Sequence, residues 1–180
     1  PNEDPIKVIK KMKQTDNFKF DEANVMNELV YRNLSEDAKR QICAWKYGGE
    51  YDLYNLPAYE EMQVRQIGFM NHQREKNYYG FWDESILVGF VNILEEKEEV
   101  FIGIGVNPDL CNKHYGQRML LITYEISKKL YPNKPLYLEV RTWNIRAVKC
   151  YQKAGFRIDG QAYELTTGIG TGTFYRMIRE

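Results

Sequence analysis

Residues 103–121 form a stretch whose residue types could bind phosphate. The sequence GIGVNPDLCNKHYGQRMLL begins as a strand that ends at Pro108, continues as a polar loop, and becomes a helix near Tyr115 and Gly116. The first N–H groups of a helix are unpaired and lie at the positive end of its dipole, so they favour an anion. Asn112 and Gly116 suit a loop whose backbone must approach that anion. An ordinary strand-to-helix turn would explain the same pattern.

A second stretch, residues 138–156, has a polar and a phenolic side chain at helical spacing. In LEVRTWNIRAVKCYQKAGF, Asn144, Ala147 and Tyr151 stand at i, i+3 and i+7, so they share one helix face. Asn144 suits the N-cap position, and it could cap the helix while also binding a ligand. Tyr151 is either a core tyrosine with a satisfied hydroxyl or a phenol that faces a ligand.

The elements that must position these residues combine strands and helices. The sequence predicts strands at 28–33, 77–84, 85–96, 100–106, 135–142, 156–165 and 171–178, and helices at 35–45, 59–70, 115–130 and 144–154. The glycine-rich GIGTG (168–172) lies between two strands, which predicts a hairpin rather than a phosphate loop. The order predicts one mixed α/β domain over residues 25–180.

Residues 1–24 are predicted to form an extension with a short basic amphipathic helix. Ile6, Ile9 and Met12 have helical spacing with lysines between them. Such a helix could touch a membrane or an acidic partner, or it could be a packing arm with a solvated lysine face. The favoured interpretation is the packing arm.

Composition limits the possible functions. The chain has 180 residues, of which 43% are hydrophobic, with 25 basic and 25 acidic side chains and no net charge. This balance argues against general nucleic-acid binding. Three scattered cysteines and two histidines match neither a disulfide framework nor a metal site. No apolar run approaches a membrane span, so we expect a soluble, cytoplasmic protein that holds no metal.

Together, the two stretches resemble the GNAT superfamily of N-acetyltransferases. The family's acyl-CoA loop is V-x-P-x-x-Q/R-x-x-G-x-G/A, and VNPDLCNKHYG has that frame, with Cys111 replacing Gln or Arg and His114 replacing the first glycine. The second signature, L-x-V-x-x-x-N-x-x-A-x-x-x-Y-x-K-x-G-F, is matched at every specified position of 138–156. The resemblance covers residues 26–179, and within the superfamily the sequence is similar to a bacterial subgroup of unassigned substrate. It implies a mostly antiparallel sheet with splayed strands and flanking helices.

The resemblance implies acetyl-CoA as cosubstrate. The splayed strand would pair with pantetheine, the N–H groups of residues 112–116 would hold the pyrophosphate, and Asn144 would hydrogen-bond the pantetheine amides. The implied CoA-binding residues are Ile104, Gly105, Val106, Cys111, Asn112, Lys113, His114, Tyr115, Gly116, Gln117, Asn144 and Ala147.

The implied chemistry is attack of a neutral amine on the thioester carbonyl. A lysine-like amine has a pKa of about 10.4, so a base or desolvation must help at neutral pH. The resemblance assigns Tyr151 as the acid that protonates the departing thiolate. It suggests Glu99 as a base acting through water, with Glu98 as the neighbouring choice. The same EEKEE segment could simply be a charged hairpin turn.

Aromatic residues of an early segment could line the acceptor pocket. Trp45, Tyr47, Tyr51 and Tyr54 would form a slot with aromatic residues of the last strand pair, where cation–π attraction favours a charged amine. They could equally be core and rim aromatics.

Two functions remain open at this stage. The first is acetyl transfer to a small-molecule or peptide amine by a monomer or homodimer that binds neither nucleic acid nor membrane. The second is a non-catalytic GNAT-fold module with a weakened CoA site, which Cys111 and His114 favour.

Overall fold

A computed structural model of the chain describes residues 29–180. The strands are β1 (Val30–Asn33), β2 (Tyr78–Asp83), β3 (Ile86–Glu95), β4 (Val100–Val106), β5 (Leu136–Arg141), β6 (Arg157–Ile158), β7 (Tyr163–Thr167) and β8 (Gly170–Arg179). The α-helices are α1 (Glu36–Ala44), α2 (Tyr59–Arg65), α3 (Tyr115–Leu130) and α4 (Ile145–Lys153). The extension and basic helix predicted for residues 1–24 lie outside the described residues.

The eight strands form one sheet in the order β1-β2-β3-β4-β5-β8-β6, with β7 also paired to β8. Neighbouring strands are antiparallel except β4 and β5, which run parallel. The predicted mixed α/β fold with a mostly antiparallel sheet is confirmed. None of the helices formed by residues 29–180 combines the length and apolar character needed to cross a membrane.

Helices cover both faces of the sheet and divide the core into two clusters. On one face, Met119 and Leu120 of α3 and Val148 of α4 pack against buried strand residues. On the other face, α1 and α2 pack over β2 and β3, where Ile42 meets Trp82 and its neighbours. Burial of these apolar side chains supplies most of the favourable folding free energy.

Sequence signals at the helix ends are confirmed. The Ser35 side chain caps α1 by accepting a hydrogen bond from the Ala38 N–H at 3.2 Å. Helix α3 has the predicted bounds, 115–130. Helix α4 is followed by Gly155, which has a φ of 88° that glycine adopts without steric cost.

Two predicted elements are shorter than expected. The helix predicted over 59–70 ends at Arg65, because Gln66 adopts a left-handed conformation, and a separate 3₁₀ turn follows at Gly68–Met70. The strand predicted over 156–165 is interrupted where Gly160 has a φ of 76°, so β6 and β7 are separate strands.

The parallel strands β4 and β5 part soon after they meet. They pair only at Val100 with Leu136 and at Phe101 with Tyr137. Strand β4 nevertheless pairs with β3 along its whole length, as far as Val106. The second half of β4 therefore has one backbone edge without a strand partner, and a gap opens beside it.

Packing behind this gap leads to a stability prediction. A Cβ on Gly105 would lie 2.4 Å from the Phe90 ring, which packs against Trp45 and Phe69. We expect Gly105→Ala to lower the free energy of unfolding by about 1–3 kcal/mol through overpacking. The matched control is Gly103→Ala, whose Cβ would meet its nearest atom at an ordinary 3.5 Å. Urea denaturation measures both, and equal stability of the two variants would contradict this prediction.

Candidate active site

The gap between β4 and β5 opens into a cleft of about 680 Å³. Its walls are the ends of both strands, the loop before α3, the inner face of α4 and an aromatic segment that we define as residues 45–57. The cleft therefore joins the two stretches that the sequence singled out.

Most of the predicted site residues line this cleft. Those that do are Trp45, Tyr47, Tyr54, Ile104, Gly105, Val106, Cys111, Asn112, His114, Tyr115, Gly116, Gln117, Asn144, Ala147 and Tyr151. Three predicted residues do not line it, namely Tyr51, Glu99 and Lys113. Within residues 29–180, no three His, Cys, Asp or Glu side chains cluster as metal ligands would.

The loop before α3 contains two residues with left-handed backbone conformations. Asn112 and His114 are both left-handed, with φ of 64° each, whereas Lys113 between them is not. A right-handed residue followed by a left-handed one turns successive N–H groups to one side and forms a concavity that suits an anion, and the two left-handed residues are compatible with such a shape. His114 adopts a left-handed conformation whose steric cost is lower for glycine than for a residue with a Cβ. Its side chain is exposed.

Gly116 contributes to this site through close packing. A Cβ at this position would lie 3.0 Å from Cys150 Sγ in α4 and 3.4 Å from the Val106 side chain in β4. Glycine thus lets the first turn of α3 approach both elements. The loop is held against the cleft wall by that approach.

Asn144 connects α4 to the aromatic segment. Its Oδ1 accepts from the Ala147 N–H at 3.2 Å, which is the predicted N-cap, and its Nδ2 donates to the Tyr54 hydroxyl at 3.3 Å. The Tyr51 and Tyr54 rings also pack against Trp143, with centroids 5.7 and 6.1 Å away. Tyr51 therefore supports the segment from outside the cleft.

Tyr151 presents an unused phenol to the cleft. Among residues 29–180 its hydroxyl makes no hydrogen bond, although Tyr151 lines the cavity. Burial, together with the nearby Cys150 and Tyr54, raises the pKa of Tyr151 well above its usual range. The phenol therefore stays protonated at neutral pH and can donate a proton or a hydrogen bond.

Tyr47 reaches across the cleft to the open edge of β4. Its hydroxyl donates to the Val106 carbonyl at 2.6 Å. Its backbone is held by Asn55, whose side chain accepts from Tyr47 N–H at 2.6 Å and donates to Tyr47 C=O at 3.1 Å. One carbonyl expected to face pantetheine is thus already a hydrogen-bond acceptor.

Glu99, the residue expected to serve as general base, does not line the cleft. It precedes β4 at the turn from β3 and forms an ion pair with Arg176. One oxygen of the Glu99 carboxylate is occupied by that ion pair, and its role as general base stays a prediction. Glu98 lies in the same turn and also does not line the cleft.

Among the cleft residues that the sequence analysis did not single out are Glu139 and Arg141 on β5. Leu138 and Val140 alternate with them and are buried in the helix-covered core. Because successive strand residues point to opposite faces, this alternation places Glu139 and Arg141 together on the face opposite that core. The signal was present in LEVR, but the spaced identities of the motif drew attention to Asn144 and Tyr151 instead.

Comparison with known families identifies the class of protein. The sequence model of the acetyltransferase (GNAT) family matches residues 40–156, more than half of the chain. The chain therefore belongs to the GNAT acetyltransferase family. No protein of curated function matches it significantly.

Solved structures with the same fold come from several bacteria. An acetyltransferase (GNAT family) from Bacillus anthracis is 16% identical, with a TM-score of 0.65, and the match covers 84% of this chain and 93% of that one. Spermidine N-acetyltransferase from Vibrio cholerae in complex with CoA and spermine is 18% identical, with a TM-score of 0.67 and coverage of 84% and 94%. A GNAT-family acetyltransferase from Streptococcus pneumoniae is 23% identical, with a TM-score of 0.61 and coverage of 84% and 98%. At these identities the likeness shows the fold.

The two hydrogen bonds of Asn144 can be separated by mutation. We expect Asn144→Ala to lower the free energy of unfolding by about 1 kcal/mol, because the N-cap is lost. Asn144→Asp keeps the capping oxygen and loses only the donor to Tyr54, so its stability should stay close to wild type. Thermal and urea unfolding measure both. A loss of the same size in Asn144→Asp would show that the Tyr54 hydrogen bond, not the cap, is the larger contribution.

Proposed function

We propose that this protein transfers an acetyl group from acetyl-CoA to a primary amine of a small molecule or peptide, by direct attack within a ternary complex. The observation that carries the proposal is the cleft itself, in which the loop before α3, an open strand edge and the Tyr151 phenol meet. Membership of the acetyltransferase family supports it.

The cofactor would occupy the loop and the open edge of β4. The N–H groups of residues 112–116 would hold the pyrophosphate at the positive end of α3. The unpaired backbone edge at Ile104–Val106 could hydrogen-bond pantetheine as an added strand does. Binding at Val106 would share or displace the Tyr47 hydrogen bond. The CoA complex of the Vibrio cholerae spermidine N-acetyltransferase, which has the same fold, is consistent with a cofactor here.

The acetyl transfer itself needs a proton donor and a proton acceptor. The amine nitrogen forms a bond to the thioester carbon, the carbon–sulfur bond breaks, and the sulfur leaves as thiolate. Tyr151, whose raised pKa keeps the phenol protonated at neutral pH, would hydrogen-bond the developing thiolate and supply its proton.

Glu139 is the better candidate for the acceptor of the amine's proton. It lines the cleft, and one of its oxygens accepts from the Tyr163 hydroxyl at 2.8 Å. Burial and that carboxylate raise the pKa of Tyr163 to about 12, so the tyrosine remains a donor that orients Glu139. No hydrogen bond from residues 29–180 occupies the second oxygen, which is free to receive a proton from an ammonium group.

Binding of the cofactor is the first test. We expect acetyl-CoA to raise the Tm of the full chain and to give a saturable heat by calorimetry. A ligand at 100 times its Kd stabilises the folded state by about 2.7 kcal/mol. The absence of both signals at millimolar acetyl-CoA would refute the enzymatic proposal and would favour the non-catalytic module.

The role of Tyr151 gives a separate test. We expect Tyr151→Phe to lower kcat by roughly 10²–10⁴-fold, the usual contribution of general acid–base catalysis, with little change in the Kd of acetyl-CoA. The matched control is Tyr79→Phe, which removes the hydroxyl of another half-buried tyrosine outside the cleft. CoA release in the presence of an amine panel measures both, and wild-type turnover in Tyr151→Phe would exclude the acid role.

A further inference from the structure

Arg141 is a buried cation in the wall of the cleft. Its residue is only 7% exposed, yet it lines the cavity. Its two terminal nitrogens donate to the backbone carbonyls of Thr171 at 3.4 Å and Gly170 at 3.2 Å. Its Nε is buried and has no hydrogen-bond partner. The Phe174 ring also faces the guanidinium, with its centroid 4.9 Å from Cζ. Two long bonds to neutral carbonyls and one ring contact do not replace a counter-ion for a desolvated charge.

No carboxylate neutralises Arg141 within residues 29–180, where the structure shows no ion pair to it. The contrast with Arg176, which lies on the neighbouring strand β8, is direct. Arg176 forms ion pairs with both Glu99 and Asp159. A buried charge without a counter-ion is costly, so a position that keeps one in a ligand cleft indicates that the ligand supplies the opposite charge.

We propose that the acceptor is an amino carboxylate, of which free amino acids are the simplest members, and that Arg141 binds its carboxylate. This inference rests on the acetyl transfer proposed above and names the acceptor class of that same site. A guanidinium presents several N–H donors in a planar fork that matches a carboxylate, and such charge-assisted hydrogen bonds are among the strongest in proteins.

The neighbouring Glu139 completes a pattern suited to a zwitterion. Glu139 and Arg141 are two residues apart on β5, so they project from the same face, about 7 Å apart along the strand. The carboxylate of Glu139 would meet the ammonium of the acceptor, and the guanidinium of Arg141 would meet its carboxylate. An amine paired with an acid group fits both charges at once.

The same pattern disfavours a polyamine. Spermine carries only positive charges, and the buried guanidinium of Arg141 would repel them where desolvation strengthens the repulsion. This chain should therefore differ in acceptor from the Vibrio cholerae spermidine N-acetyltransferase, even though the two share a fold.

The test compares matched acceptors on the full chain. CoA release is measured with three kinds of acceptor: α-amino acids, their carboxamides and spermidine. The carboxamides keep the amine but lack the negative charge of the carboxylate. We expect kcat/KM for the preferred amino acids to exceed that of their amides by about 10- to 100-fold, the effect of one charge-assisted hydrogen-bonding group. Equal or better turnover of the amides or of spermidine would overturn the proposal.

Variants of Arg141 test the assignment of the residue. Arg141→Met keeps most of the side-chain stem and should remove the preference for the acid over the amide, leaving the Kd of acetyl-CoA unchanged. Arg141→Lys keeps the charge and should retain part of the preference, which keeps the test decisive if Arg141→Met fails to fold. The control is Arg157→Gln, an exposed arginine outside the cleft, which should behave as wild type. An equal loss for acids and amides, or weaker acetyl-CoA binding, would show that Arg141 acts on the cofactor or the fold instead.

A direct binding measurement separates this inference from the proposed function. Calorimetry with CoA present compares an N-acetyl amino acid with its N-acetyl amide, so no turnover is needed. We expect only the acid to bind wild type and neither to bind Arg141→Met. Absence of acid binding overturns the inference, whereas acid binding without turnover of any amine supports the carboxylate-binding role of Arg141 and refutes the acetyl transfer.

Discussion

The early parting of β4 and β5 is the constraint on which the rest of the molecule depends. A parallel pair that continued beyond Phe101 and Tyr137 would close the sheet and leave no room between the strands. The gap is tolerated because each strand keeps its other partner, β3 for β4 and β8 for β5. Helices α3 and α4 fill the space beneath with apolar side chains. The width of the gap is thus set by helix packing rather than by a hydrogen-bond ladder.

The sequence predicts most of the fold because its local signals agree with its tertiary structure. Ser35 and Asn144 cap the helices where expected, and the alternation in β5 is clear once its buried face is known. The failures occur where single backbone conformations decide, as at Gln66 and Gly160. A left-handed residue ends an element without changing the hydrophobic pattern around it, so periodicity alone cannot locate it.

The candidate site divides in the same way. Residues fixed by local motifs, such as Asn144 and Tyr151, come to the cleft as the resemblance implies. Glu99 does not line it; its carboxylate forms a long-range ion pair with Arg176, which connects β8 to the turn before β4. Pairing of side chains between distant strands is not encoded in spacing. For that reason Glu139 and Arg141 on β5 could be recognised as cleft residues only from the three-dimensional structure.

The hydrogen bond from Tyr47 to Val106 has a further consequence. A strand edge inside a protein is a template on which a foreign polypeptide can pair, and exposed edges promote aggregation. Here the aromatic segment of residues 45–57 lines the opening, and the Tyr47 phenol donates a hydrogen bond to the last carbonyl of the unpaired edge. A narrow, flexible ligand such as pantetheine could reach the edge beneath this segment. A polypeptide with bulky side chains would instead collide with the aromatic rings. The sheet thereby keeps an unpaired edge on β4 that is shielded from pairing with other protein molecules.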